Sequence, residues 1–109
     1  MAKYKNRKVT IDGITFDSKK ESERYKELKL LRQAGIITDL ELQKRFELQP
    51  SFICNGKRYR PIYYICDFYY NRDGEWIIED VKSEITKKDK VYKLKKKMMA
   101  FKGLEITEV

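Results

Sequence analysis

The sequence predicts an α+β or α/β fold in which helices cover a mixed β-sheet. Two segments have apolar residues at helical spacing, and several others alternate apolar with polar residues in the period of a strand. Asp-Gly and Asn-Gly pairs between short apolar runs indicate tight hairpins. Because 109 residues can bury one modest core, we predict a single domain over residues 1–109, with residues 1–8 as a mobile basic arm.

The predicted elements follow one another without a linker rich in proline, glycine or serine. In chain order they are a hairpin over 8–16, a helix over 18–34, a strand over 36–48, a hairpin over 52–59, a strand over 62–70, a strand over 76–82, a helix over 88–101 and a strand over 104–109. Apart from the hairpins, the order is helix, three strands, helix, strand. The second helix requires a crossover, so the last two strands are predicted to be parallel with a right-handed connection.

In the first half of the chain, turn and capping residues set the ends of the elements. Asp12-Gly13 accepts the positive φ angles of a two-residue turn and so predicts the first hairpin. Ser18 is a good N-cap, Glu21 stands three residues later in the capping-box position, and Gly35 ends the helix. Apolar residues then alternate with charged ones, which is the period of a half-buried strand.

In the second half, Asn55-Gly56 predicts another hairpin, and Gly103 ends the second helix. Aromatic and β-branched residues predict the strands between them. The second helix has an apolar stripe at spacings of three and four residues, which we expect to face the core. Its members are Val91, Leu94, Met98 and Phe101.

The composition excludes several kinds of chemistry. The chain has no histidine, which removes His-activated nucleophiles, His general bases and His-ligated zinc. Cys54 and Cys66 are too few for a thiolate metal site or a disulfide scaffold, so we expect free thiols in a reducing cytosol. No apolar run approaches the ~20 residues of a membrane span, and we therefore predict a cytoplasmic protein without membrane contact.

The excess positive charge is concentrated in one segment. The net charge is +8, and residues 87–102 contain eight lysines against one aspartate, which accounts for nearly the whole excess. Such a segment indicates a polyanionic partner, and DNA is the partner we expect; an ordinary solvated helix face is the alternative. The lysines closest after the predicted strand 76–82 are expected to contact backbone phosphates: Lys87, Lys88, Lys90 and Lys93.

Two aspartates and a lysine form the candidate site. Asp67 interrupts an apolar and aromatic run, where a buried carboxylate needs a compensating metal ion or a lysine such as Lys82. Asp80 and Lys82 are two residues apart on a predicted strand and therefore share a face. If the two strands are neighbours, Asp67 and Asp80 converge and offer the hard oxygen ligands that suit Mg²⁺ or Mn²⁺.

Three further residues are weaker candidates. Glu21 has two interpretations: it completes a capping box with Ser18, or it reaches the sheet from the helix face that it shares with Tyr25. Gln43 and Lys44, on the strand after the first helix, are expected at the border of the site.

These residues resemble the motifs of the PD-(D/E)XK nuclease superfamily. The resemblance rests on residues 16–21 (FDSKKE), the lone strand residue Asp67, and residues 79–82 (EDVK) before a lysine-rich helix, and it covers residues 8–109. The chain is most similar to small phage-borne proteins of unassigned function. Their layout is that of Holliday-junction resolvases and of the endonuclease subunits of cut-and-paste transposition systems. One motif differs, because Cys66 stands where the superfamily pattern has proline before the aspartate.

The resemblance implies a restriction-endonuclease-like αβββαβ core and a DNA endonuclease that depends on Mg²⁺, with Mn²⁺ as a substitute. It implies metal binding by Asp67, Asp80 and the Val81 carbonyl, with a metal or water role for Glu21 and a catalytic role for Lys82. The implied products are 5′-phosphate and 3′-hydroxyl ends.

The implied setting is the cutting of branched or structured DNA during phage recombination, repair or packaging, in a phage-infected or prophage-carrying bacterium. Cutting both strands symmetrically calls for two active sites, so a homodimer is expected. The superfamily also contains copies that do not cut. The alternative function is therefore a basic DNA-binding module or accessory protein on the same fold.

Overall fold

The computed structural model describes residues 7–109 and has an α+β architecture, which confirms the predicted fold class. Residues 1–6 of the predicted arm lie outside the described residues. The chain divides into two compact units, Met1–Thr38 and Asp39–Val109, and the single domain stays a prediction. None of the helices within residues 7–109 is long and apolar enough to span a membrane.

The elements of the fold are two helices and ten short strands in the described range. In chain order they are β1 (Val9–Ile11), β2 (Ile14–Phe16), α1 (Lys19–Gln33), β3 (Thr38–Leu42), β4 (Arg45–Gln49), β5 (Phe52–Cys54), β6 (Lys57–Tyr59), β7 (Ile62–Ile65), β8 (Phe68–Arg72), β9 (Glu75–Asp80), α2 (Lys90–Phe101) and β10 (Ile106–Glu108). Both predicted helices and both predicted hairpins are confirmed.

The N-terminal unit is built from the first hairpin and α1. β1 pairs antiparallel with β2 across Asp12-Gly13, whose φ angles of 54° and 76° suit a tight turn. The Ser18 hydroxyl accepts a hydrogen bond from the Glu21 amide at 3.1 Å and so caps α1. The Asp12 carboxylate accepts hydrogen bonds from Lys29 at 2.6 Å and from Tyr25 at 2.9 Å. These bonds tie the turn to the helix and lower the pKa of Asp12.

A mixed four-stranded sheet, in the order β10-β9-β8-β3, carries the candidate site. β8 and β9 are antiparallel, with Phe68 paired to Glu79. β9 and β10 are parallel, with Glu108 beside Asp80, which confirms the predicted parallel pair. Two further strand pairs lie outside this sheet, β4 with β7 and β5 with β6.

Two of the predicted strands are broken in the structure. The predicted strand 36–48 is divided at Gln43, where a φ of 57° turns the chain between β3 and β4. The predicted strand 62–70 is divided at Cys66 and Asp67, between β7 and β8. β4 and β7 pair with each other instead of joining the main sheet. The prediction of two continuous strands is wrong because the apolar and aromatic pattern continues across both breaks.

The elements that flank the candidate site are slightly shorter than predicted. β9 ends at Asp80, and α2 begins at Lys90. A 3-10 turn precedes α2, and the Asp89 carboxylate caps the helix by accepting a hydrogen bond from the Tyr92 amide at 2.8 Å. The polypeptide between β9 and α2 is therefore an ordered turn beside the site.

Three residues of the predicted apolar stripe of α2 face solvent, so the prediction that the stripe packs in the core is wrong for them, whereas Met98 packs against the core as predicted. Val91, Leu94 and Phe101 are 59%, 58% and 93% exposed. The residues that α2 buries are Tyr92 and Met99, each of which directly follows a stripe residue in the sequence. They pack with five other buried residues: Leu48, Tyr64, Cys66, Ile78 and Ile106.

Both cysteines are free thiols, as predicted. Cys54 is exposed on β5, whereas Cys66 is fully buried at the break between β7 and β8. Burial raises the pKa of the Cys66 thiol to about 12, so this thiol stays protonated and packs as a small apolar residue.

Candidate metal centre

The backbone at the end of β9 holds the candidate residues in an extended conformation. The Val109 amide donates a hydrogen bond to the Asp80 carbonyl at 2.9 Å, and the Lys82 amide donates to the Val109 carbonyl at 3.2 Å. Asp80 and Lys82 are thereby fixed on one side of the chain, as the two-residue spacing predicts.

Asp67 lies directly against this segment. Its backbone amide donates to the Glu79 carbonyl at 3.1 Å, and its carboxylate Oδ2 accepts a hydrogen bond from the Val81 amide at 2.8 Å. The carboxylate therefore lies at the peptide that joins Asp80 to Val81. β8 and β9 are antiparallel neighbours, which is the condition on which the predicted convergence of Asp67 and Asp80 depends.

Asp80 is a buried carboxylate with two polar partners. The Tyr64 hydroxyl donates a hydrogen bond to Oδ2 of Asp80, and Nζ of Lys82 is 3.4 Å from the same oxygen. Burial, together with the bond to Asp80, raises the pKa of Tyr64 far above its usual value. Tyr64 is thus a permanent donor that fixes the Asp80 carboxylate.

Lys82 is held by an aromatic ring as well as by Asp80. Its Nζ lies 4.2 Å from the centroid of the Tyr92 ring, within the range of a cation–π contact. The Tyr92 hydroxyl donates to Oε2 of Glu108 at 2.5 Å, and Nζ of Lys96 is 3.1 Å from the same oxygen. Burial and the bond to Glu108 raise the pKa of Tyr92. Because Glu108 belongs to β10, this strand helps to set the position of the Tyr92 ring and, through the ring, that of the Lys82 ammonium group.

The Glu108 contact predicts an acid-dependent stability. The hydrogen bond from Tyr92, and then that from Lys96, lower the pKa of Glu108 below its usual 4.5. The unfolded chain then binds a proton more readily than the folded one, so this stabilisation is present above pH 4.5 and is lost as the pH falls below it. We expect Glu108→Gln to be less stable than the wild type at pH 7, with the difference shrinking at pH 3.

Urea unfolding at the two pH values measures this difference. Glu105→Gln, which changes an exposed carboxylate on the same segment, is the matched control and is expected to leave the wild-type pH profile intact. A Glu108→Gln profile parallel to that of the wild type across this range would contradict the assignment.

The other face of β9 carries a buried, hydrogen-bonded pair of side chains, Glu79 and Tyr70. Glu79 is buried there and accepts a hydrogen bond from the Tyr70 hydroxyl. Glu79 and Asp80 are consecutive in the sequence but lie on opposite faces, as strand geometry requires. The face that carries Asp80 is therefore the candidate functional face.

A pocket of about 480 Å³ opens beside Lys82. Its other lining residues come from the turn before α2 and from the first turn of α2: Ile85, Thr86, Lys88, Asp89 and Tyr92. Of the four lysines predicted to contact DNA, Lys88 thus shares a pocket with Lys82. Lys87 is 3.5 Å from Glu84, and Lys90 and Lys93 are exposed on α2.

The backbones of Gln43 and Lys44, which were predicted at the border of the site, contact Asp67 and its neighbour Cys66. The Gln43 amide donates to the Asp67 carbonyl at 3.2 Å, and the Lys44 carbonyl accepts from the Cys66 amide at 3.0 Å. Nζ of Lys44 is 5.5 Å from the centroid of the Tyr69 ring. The backbone hydrogen bonds of these two residues hold the short segment between β7 and β8 that carries Asp67.

Glu21 belongs to the N-terminal unit. It is buried in the first turn of α1, where Ser18 caps its amide. Its role at a metal ion stays a prediction.

The donor set on this face fits a hard divalent cation. The ligands that the resemblance implies, the carboxylates of Asp67 and Asp80 and the Val81 carbonyl, are all oxygen atoms. Within residues 7–109, no three acidic or cysteine side chains gather as a group that could enclose a metal. Mg²⁺ keeps several waters and is commonly held by one or two carboxylates together with substrate phosphates, so a small, all-oxygen set suits it. A structural zinc site would need more ligands than are present.

Sequence patterns do not indicate Tyr64 or Tyr92. Tyr64 belongs to an aromatic run that is typical of a packed strand, and Tyr92 lies beside the stripe that the pattern assigns to the core. A regular strand or helix pattern shows which residues are buried, but it does not show where a hydroxyl points. Both contacts depend on tertiary packing across separate elements.

One comparison with known proteins gave a match. A family model described as "Protein of unknown function (DUF1064)" matches residues 1–108. The match spans both compact units and every candidate site residue. No curated protein and no solved structure matches the chain.

Proposed function

The chain belongs to the DUF1064 family, and we propose that it is a Mg²⁺- or Mn²⁺-dependent DNA endonuclease of the PD-(D/E)XK superfamily. The observation that carries the proposal is the convergence of Asp67, Asp80 and Lys82 at the end of one strand. When the strand pairs outside the main sheet are left out, the order α1, β3, β8, β9, α2, β10 supports it, since it is the αβββαβ order of that superfamily. The proposed substrate is branched or structured DNA in phage recombination, repair or packaging, in the cytoplasm of a bacterial host.

Asp67, Asp80 and the Val81 carbonyl would hold the cation. When bound, it supplies Lewis-acid polarisation of the scissile phosphate. Asp80 is buried and fixed by the Tyr64 hydroxyl, so its carboxylate needs no reordering before it acts. Because the Val81 amide holds Asp67, the position of one carboxylate is set by the backbone next to the other.

Lys82 supplies the remaining positive charge. Its ammonium group stabilises the negative charge that builds up on the phosphate and orients the attacking water. Tyr92 is a positioning residue, because its ring lies under the Lys82 ammonium while its hydroxyl is anchored to Glu108. No histidine is needed for any of these tasks.

The pocket beside Lys82 is the proposed position of the DNA backbone. Lys88 lines the pocket, and Lys87, Lys90 and Lys93 follow along the adjoining turn and helix. Such lysines bind phosphates and position a duplex without recognising its sequence. Binding is therefore expected to weaken steeply with salt.

Cleavage of labelled DNA tests the proposal. Linear duplex, single-stranded, flap and four-way-junction substrates of equal length are incubated with the protein in Mg²⁺, in Mn²⁺ and in EDTA. The proposal expects cutting only with a divalent cation, with branched substrates preferred and 5′-phosphate ends as products. Salt-sensitive binding of all four substrates without cutting would instead establish a DNA-binding module.

We also propose that two copies pair through the outward face of α2. Val91, Leu94, Met98 and Phe101 follow spacings of three, four and three residues, which is the a and d spacing of a helix–helix seam. Three of them are more than half exposed, and Phe101 is 93% exposed. A two-fold axis through this face would bury the stripe against its own copy and provide two active sites for two strands.

Phe101→Asp is expected to prevent this pairing, because it places a carboxylate at the seam. Sedimentation equilibrium should give twice the 13.2 kDa chain mass for the wild type and a single chain mass for the variant. Leu30→Asp is the matched control, since Leu30 is an exposed apolar residue on α1, and this variant should remain dimeric. A monomeric wild type, or a dimer that Phe101→Asp leaves intact, would contradict the proposed interface.

A further inference from the structure

The second hairpin, β5 and β6, is an exposed β-ribbon that contributes no residue to the candidate metal centre. Within the described range 7–109, its strands pair antiparallel only with each other, across Asn55-Gly56. All six strand residues are exposed. An isolated two-stranded ribbon is marginally stable in water, so one that covers no core calls for an explanation in function.

A stacked aromatic pair holds the ribbon together. Phe52 and Tyr59 face each other in the register, with ring centroids 4.8 Å apart and planes 9° from parallel. Nζ of Lys57 lies 5.1 Å from the centroid of the Tyr59 ring on the same face. The opposite face carries the cross-strand pair Ile53 and Arg58, and Ile53 is 63% exposed. Each face thus presents an apolar group beside a cation.

The charge of this segment is of one sign. Between Glu47 and Asp67 the sequence contains no acidic residue, whereas Lys57, Arg58 and Arg60 are all cationic. This positive cluster is separate in sequence from the lysines of residues 87–102. Its partner should therefore be a polyanion that also offers flat apolar surface, and nucleic acid with unstacked bases combines these two properties.

We propose that the β5–β6 ribbon is a second DNA-binding element, which contacts DNA where bases are unstacked, as at a branch point. Arg58 and its neighbours bind the phosphate backbone, and Ile53 packs against the exposed bases. The inference rests on the proposed function for its substrate, DNA, but its site is separate from the Asp67, Asp80 and Lys82 cluster. It accounts for a preference for branched DNA independently of the cutting reaction.

Fluorescence anisotropy with a labelled four-way junction and a linear duplex of the same length tests the proposal, with EDTA present so that no strand is cut. Arg58→Glu is expected to weaken binding to both substrates about tenfold, because it reverses a phosphate-binding charge. Ile53→Ser is expected to weaken junction binding about tenfold and duplex binding less than about threefold, because only the junction offers unstacked bases. Neither variant touches the stacked pair that holds the ribbon.

Lys26→Glu and Leu30→Ser on α1 are the matched controls, since they also reverse a positive charge and replace an aliphatic side chain at exposed positions; they should change neither affinity more than about twofold. Ribbon variants that bind like these controls would overturn the proposal and leave the ribbon to a protein partner. Equal losses on both substrates with Ile53→Ser would overturn the contact with unstacked bases. Because binding is measured without cutting, a wild type that binds junctions but never cleaves them would defeat the proposed nuclease and leave this inference standing.

Discussion

Asp80→Asn is expected to abolish DNA cleavage, with a loss of at least about a thousandfold, while DNA binding is kept or strengthened. The substitution removes a cation ligand, and with it the charge stabilisation on which phosphodiester hydrolysis depends. It is nearly isosteric, and an amide oxygen can still accept the Tyr64 hydrogen bond, so the fold is expected to persist. Removing a negative charge beside the phosphates lowers electrostatic repulsion, which is why affinity should not fall.

The measurement is single-turnover cleavage of a labelled junction, alongside anisotropy for binding. Asp73→Asn is the matched control, because Asp73 is exposed in the turn between β8 and β9 and asparagine also accepts its positive φ of 53°. This control should cut like the wild type. Retention of cutting by Asp80→Asn would remove Asp80 from the catalytic site.

Lys82→Ala is expected to slow cleavage by about a hundredfold or more, because it removes the ammonium group that stabilises charge on the phosphate. Its effect on metal binding should be small, since Lys82 contacts Asp80 through an ion pair and supplies no ligand. Lys82→Ala thus separates catalysis from metal binding, whereas Asp80→Asn affects both.

Lys97→Ala is the control for Lys82→Ala, because it removes the same charge at an exposed position on α2, outside the pocket beside Lys82. It should retain most of the cleavage rate, with the rate constant at saturating DNA as the readout. Equal losses of cleavage rate in the two lysine variants would show that Lys82 contributes only positive charge near the DNA and no specific contact with the phosphate. A normal rate with Lys82→Ala would exclude a catalytic role.

Local signals were sufficient to predict the hairpins and the helices. Asp12-Gly13, Asn55-Gly56 and the Ser18 cap act within a few residues, and each has the predicted role in the structure. The interruptions at Gln43 and at Asp67 could not be predicted in this way, because they accompany the pairing of β4 with β7. That pairing is a property of the whole fold, and the apolar and aromatic patterns run through both breaks.

The orientation of α2 shows the same limit. Spacing alone identifies Val91, Leu94 and Phe101 as one face, but it does not say whether that face meets the sheet or solvent. Tyr92 is buried instead, and its hydroxyl finds Glu108 on β10. Which of the two adjacent faces of α2 is buried therefore depends on tertiary contacts, such as that between Tyr92 and Glu108, and not on spacing within the helix.

For the candidate site, the charged residues could be predicted from the sequence, but the tyrosines that contact them could not. Asp67, Asp80 and Lys82 were predictable because strand alternation and the pairing of neighbouring strands bring them together. Tyr64, which fixes Asp80, comes from a strand outside the main sheet. No pattern within one element reports a contact of this kind.

Calorimetric titration with Mn²⁺ tests most directly the claim that Asp67 and Asp80 form a cation site. It is carried out with the protein alone and with the protein bound to a phosphorothioate junction that resists cutting. We expect saturable binding to the wild type and to Asp73→Asn, with binding lost in Asp80→Asn and retained in Lys82→Ala. Wild-type protein that binds no Mn²⁺ with or without DNA, or binding that survives in Asp80→Asn, would contradict this claim.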